Sequence, residues 1–183
     1  MNSSNNLFLE DKVLSFKAFI FGTIGRTLAE RAVLEQLLEL RTQCHGVDHV
    51  SLVSVLERLA QTYAVSYAAS DLHQADELVQ EALRILLLTS TRGANTFRAG
   101  KLIHARCEIH QRLNQPVVAL ELGEEALAIY NSTALASSYR ASLMHTLVYL
   151  HNQVGVPERA ERLAIEVRSL DYVLSSRSGR HRY

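Results

Sequence analysis

Two groups of side chains in this chain are of types that could do chemistry. Cys44, His45, Asp48 and His49 stand in a C-H-x-x-D-H order, a plausible start for a divalent metal site. Zinc takes about four ligands in a tetrahedral array, and a short-range pair normally works with a second pair elsewhere. His104, Cys107 and His110 follow at i, i+3 and i+6. On a helix the third of these is turned by about 120° from the first, so one ion cannot easily hold all three. A Cys–His nucleophile would also need a third residue to orient the base, and the sequence places none. These residues point away from catalysis; no enzyme, metal or cofactor is expected.

The elements that carry these residues are helices. The stretch Gly46 to Leu88 reads as two amphipathic helices joined by a polar corner. Leu56, Leu59, Ala60 and Tyr63 share one face of the first helix, because side chains three and four apart are neighbours. Ala75, Val79 and Ala82 form a small-large-small series on the second, and Tyr63 is expected to fill the space beside them.

Weaker copies follow. Ala119, Gly123 and Ala126 repeat the second series, as do Ala160, Ala164 and Val167. Met144, Leu147, Val148 and His151 repeat the first. In the third copy two registers compete, one through Ile103, Cys107 and His110, the other through Leu102, Ala105 and Ile109. Gly123 is unfavourable in a helix by about 1 kcal/mol relative to Ala, so close backbone packing is its expected reason. Asn114 and Gly155 suit left-handed corners, and Pro116 and Pro157 suit the first turn of the helix that follows.

This pattern of large, large, small, large and then small, large, small resembles the tetratricopeptide repeat. The offsets of 44 (119 − 75) and 41 (160 − 119) exceed the standard period of about 34 residues and are nearer the kinesin-light-chain variant. Gly46-Val47-Asp48-His49 looks like the turn before helix A in that variant, which favours a structural role for Asp48 and His49 over metal binding. Tyr63 to Ala75 is three residues longer than the usual unit, suggesting an extra helical turn before the corner. Asp71 is expected as the N-cap of the following helix, with Gln74 at capping-box spacing.

Residues 1–6 are expected to be disordered. A repeat domain then spans 7–172, with a degenerate first repeat or cap at 7–45 and units at 46–92, 93–131 and 132–172. Residues 173–183, with Arg177, Arg180, His181 and Arg182, are read as a flexible basic tail. Only 8 Gly and 2 Pro in 183 residues, with 48% apolar residues, fit a helix-rich globular chain. The 19 basic and 19 acidic side chains cancel, so no net field draws the protein to nucleic acid or anionic lipid. The apolar run Val13 to Ile24 is broken by Lys17 and is shorter than the ~20 residues a span needs. With two cysteines and no disulfide spacing, a soluble cytoplasmic protein is expected.

The resemblance implies an all-α, right-handed superhelix of about four antiparallel helix pairs, with A helices lining a concave groove. Carried over to this sequence, the groove positions are Ser54, Glu57, Gln61 and Ala64; Lys101, His104, Glu108 and Gln111; and Ser142, His145, Tyr149 and Asn152. Arg58, beside Glu57, is expected to reach the same face. The function implied is a non-catalytic adaptor or scaffold that binds a peptide or protein segment. The alternatives are a ligand- or peptide-sensing regulatory module and a structural subunit that self-assembles through its apolar end helices, among them the Phe-rich first helix.

Overall fold

The computed structural model describes residues 2–89, 96–133 and 137–178. Among the described residues all regular structure is α-helix: α1 (Asn2–Thr23), α2 (Thr27–His45), α3 (Ser51–Ala64), α4 (Ala69–Thr89), α5 (Thr96–Arg112), α6 (Pro116–Asn131), α7 (Ser137–Gln153) and α8 (Pro157–Ser178). The chain divides into two compact units, Met1–Thr91 and Arg92–Tyr183. In the first, α1 packs on α2, α2 on α3 and α3 on α4; in the second, α5, α6, α7 and α8 follow the same order, and α5 also touches α7. This is an all-α repeat fold of four helix pairs.

Three of the four corners inside these pairs are the same piece of backbone. Gly25 (φ 72°), Asn114 (φ 57°) and Gly155 (φ 81°) each adopt the left-handed conformation. At each, two nested hydrogen bonds close the preceding helix. Arg26 N–H donates to Phe21 and Gly25 N–H to Gly22; Gln115 to His110 and Asn114 to Gln111; Val156 to His151 and Gly155 to Asn152. This is the Schellman arrangement, which satisfies carbonyls that the end of a helix leaves without partners. The first helix pair therefore has the corner of the third and fourth, although its sequence reads as degenerate.

Aligning the pairs on these corners explains that degeneracy. The position of Ala119 and Ala160, five residues past the corner, is Glu30 in α2. Leu34 and Leu37 then take the places of Gly123 and Ala126, and all three α2 residues are buried. A carboxylate stands where a small residue is expected, and Arg58 compensates it: its Nε donates to Glu30 Oε1 at 2.7 Å, and its Nη2 donates to the Ala18 carbonyl at 2.9 Å.

The burial pattern of α5, set beside that of α3, settles the third unit. Ala99, Gly100, Leu102, Ile103, Cys107 and Ile109 of α5 are buried at the offsets from Ile103 at which Leu52, Val53, Val55, Leu56, Ala60 and Thr62 of α3 are buried from Leu56. Ile103 and Cys107 hold the large and small positions, and Leu102 and Ile109 form the adjoining buried row. A Cβ on Gly123 would lie 2.7 Å from Leu147 Cδ2 and 3.2 Å from Cys107 Sγ, so α6 lies close against both α5 and α7 there.

Several expectations are corrected. The extra turn in the second unit comes after the corner. α3 ends at Ala64, residues 65–68 form the corner, and α4 starts six residues before Ala75, whereas α6 and α8 start three before Ala119 and Ala160. Pro116 and Pro157 hold those later starts in place, because a proline has no N–H to give to a preceding turn; α4 has none. Asp71 thus lies inside the first turn of α4, 3.8 Å from Arg31 Nη2, rather than at the N-cap. Tyr63 turns to α2, donating to Glu35 Oε1 at 3.0 Å with the Arg31 guanidinium 3.7 Å above its ring. α1 begins at Asn2, so residues 2–6 continue a helix that meets no glycine or proline before Gly22. α8 continues to Ser178, taking in 173–178; Arg180, His181 and Arg182 lie outside the described residues.

Candidate peptide-binding face

The candidate positions on α7 all come to one exposed face. Ser142, His145, Tyr149 and Asn152 are exposed, while Leu143, Met144, Leu147, Leu150 and His151 between them are buried. The face follows from the helical period: positions spaced by three, four and three stay on one side, and the alternate rows carry the apolar residues. His145 Nε2 lies 2.9 Å from Asp171 Oδ2 of α8, and Gln153 Nε2 donates to the Tyr149 hydroxyl at 2.7 Å. Tyr139, one turn before Ser142, extends the row. The sequence reading passed over it, although its spacing from Ser142 is the signal that finds it. Its ring stands edge-on to Phe97 at 5.4 Å, and Lys101 Nζ of α5 lies 5.6 Å from its centre.

The α5 candidates divide. Lys101 and Gln111 are half-buried and Glu108 is exposed. His104 is buried, with its Nδ1 3.3 Å from the Tyr130 hydroxyl and its Nε2 3.5 Å from Glu108 Oε1. Burial holds its pKa down to about 4, so the ring is neutral near neutrality. His104 thus departs from the solvent-facing role expected of its position. The aromatic ring of Tyr130, itself fully buried, takes it into the interior.

On α3, Ser54 and Gln61 are exposed, and Glu57 and Ala64 are half-buried on the same face. Arg58 does not join them. It points back between α1 and α2 to Glu30 and Ala18, because a buried carboxylate without a partner would be costly.

The groups first considered for chemistry do not converge on a common centre, and Asp48 is taken up by Arg84. Cys107 is fully buried, and burial pushes its thiol up to about 12, far from a reactive thiolate. His110 Nδ1 lies 2.6 Å from Gln115 Oε1 at the corner. Cys44 is an exposed free thiol, and the rings of His45 and His49 stack at 4.6 Å. His49 Nδ1 accepts from the Ser51 N–H at 3.3 Å, closing the turn before α3. Among the described residues no group of three or more His, Cys, Asp or Glu side chains is placed to hold a metal ion.

No protein-family model matches the sequence, and no curated protein matches it. Solved structures do match. BtubC (BKLC) from P. vanneervenii is similar with a TM-score of 0.80 at 14% identity, over 90% of this chain and 64% of that one. The chain thus spans less than two thirds of BtubC. A putative kinesin light chain from Podosopora anserina with nearly identical TPR-like repeats is similar at 18% identity, with a TM-score of 0.65 over 98% of this chain and 89% of that one. A single-substitution variant of that protein gives 0.68 over 94% and 88% at the same identity. The fold of this chain is that of the tetratricopeptide-like repeat proteins, in the form seen in kinesin-light-chain repeats.

Proposed function

We propose that this protein is a non-catalytic adaptor or scaffold that holds an extended peptide or protein segment on the polar faces of α5 and α7. The observation that carries this reading is the α7 row: Ser142, His145, Tyr149 and Asn152 all exposed on one side of a helix whose other sides are packed. A row of this kind offers hydroxyl, imidazole, phenol and amide groups at regular intervals. Such groups capture side chains and backbone of an extended partner. The fold shared with tetratricopeptide-like repeat proteins supports a general role in protein interaction. We place the protein in the cytoplasm, in keeping with free thiols at Cys44 and Cys107. Among the described residues no helix is long and apolar enough to cross a membrane.

The test is affinity capture from the native source, comparing wild type with the triple variant His145→Ala, Tyr149→Ala and Asn152→Ala. All three side chains are exposed, so helicity is expected to be unchanged. Loss of a specific partner in the variant supports the α7 face. Equal capture by both proteins removes it. The self-assembly reading is favoured by a separate observation, the exposed apolar side of α1.

A further inference from the structure

α1 is apolar on two opposite sides. One side, with Leu14 and Ala18, is buried, and Asp11 beside it is gripped by Arg41 of α2. The opposite side exposes Leu9 (63%), Val13 (43%), Phe16 (64%) and Ile20 (37%). An apolar side left exposed on a helix is a surface for a partner to cover.

Register shows what kind of surface this is. Aligned on the corners, Leu14 of α1 corresponds to Ile103 and Met144, so Val13 and Ile20 correspond to Leu102 and Ile109 and to Leu143 and Leu150. All four of those residues are buried. Val13 and Ile20 thus stand at positions that the second unit buries, and Leu9 and Phe16 add apolar bulk where that unit carries Arg98 and Tyr139, and Ala105 and Thr146.

We propose that the exposed row of α1 binds the same row of a second copy of this chain, the two α1 helices running antiparallel about a two-fold axis. Leu9, Val13, Phe16 and Ile20 are spaced by four, three and four, which is the seam of a helix pair. The flanking charges choose the direction. In the antiparallel arrangement Leu9 meets Ile20 of the other copy and Val13 meets Phe16. Glu10 then lies beside Lys17 of the other copy, twice by symmetry. In a parallel arrangement Lys12 falls beside Lys17, a repulsion. Glu10, Lys12 and Lys17 are all exposed. A two-fold contact of this kind closes and leaves a dimer. The inference stands apart from the peptide-binding face, which lies on other helices.

Sedimentation velocity of the full chain across a concentration series tests it. Wild type is expected at twice the 20.5 kDa chain mass. Phe16→Glu is expected to be monomeric with unchanged helicity. Lys17→Glu sets a second carboxylate against Glu10 of the other copy and is expected to weaken the dimer by about tenfold, while Glu10→Lys with Lys17→Glu restores it. A tighter dimer on Lys17→Glu would mean parallel helices and overturn the proposal. So would a monomeric wild type, including one that instead floats with anionic phospholipid vesicles, species growing beyond the dimer, or a dimer that survives Phe16→Glu.

Discussion

Arg58 and Glu30 meet at 2.7 Å across the gap between α3 and α2, at the one place in the four repeats where a carboxylate occupies the small-residue position of helix B. The Glu30 side chain is 11% exposed and that of Arg58 is 35% exposed. The pair therefore ties three helices together, because Arg58 also caps the Ala18 carbonyl of α1.

Removing Arg58 leaves Glu30 buried without its partner. Arg58→Ala is expected to lower the stability of the first unit by about 2 kcal/mol, read by urea denaturation. The double variant Glu30→Ala with Arg58→Met restores the small residue seen in the other repeats and is expected to recover most of that loss. A single Arg58→Ala that costs nothing would mean that the pair contributes only as exposed ions do.

Gly123→Ala sets two effects against each other. Alanine gains about 1 kcal/mol in helix propensity. Its Cβ, however, would stand 2.7 Å from the methyl of Leu147, which is fully buried and has little room to give. Overpacking of this kind costs about 1–3 kcal/mol, so a net loss of stability of about 1 kcal/mol is expected. Adding Leu147→Ala, which removes the clash, is expected to make the glycine substitution favourable in that background.

His104 makes stability depend on pH. Its folded pKa of about 4 lies below the ordinary 6.5, so between these values the unfolded chain binds more protons than the folded one. Stability is full above about 6.5 and falls as pH drops to about 4, by about 3 kcal/mol in total. His151, also held down by burial, acts in the same direction. Denaturant titrations from pH 7 to pH 4 are expected to show this slope, and His104→Gln is expected to flatten most of it. An unchanged slope in that variant would place the proton uptake elsewhere.

Much of the fold was legible in the sequence because apolar spacing and corner residues report local geometry. Asn114, Pro116, Gly155 and Pro157 marked the corners, and Gly123 marked a close approach. The first pair was harder to read, since Glu30 breaks the small-residue pattern and only the three-dimensional contact with Arg58 shows why it is tolerated. The candidate face was legible where a helix is simply amphipathic, as on α7. It was not legible on α5, where Tyr130 from the next helix draws His104 inward, nor at Arg58, whose destination is 28 residues away in sequence. A one-helix pattern records which side a residue occupies but not what waits across the gap.

The early start of α4 has a consequence for how such arrays change length. Its additional turn lies upstream of Leu72, at Ala69, Ser70 and Asp71, where two of the three residues are exposed and the buried rows of α3 and α4 keep their spacing on either side. Residues can thus be added or removed at this start while the buried rows downstream keep their headings, because packing against α3 sets those rows. The added turn reaches its neighbour only through a side chain at its edge, Asp71 beside Arg31 of α2, so a change of length at this junction is felt as a change of reach and not as a reordered core.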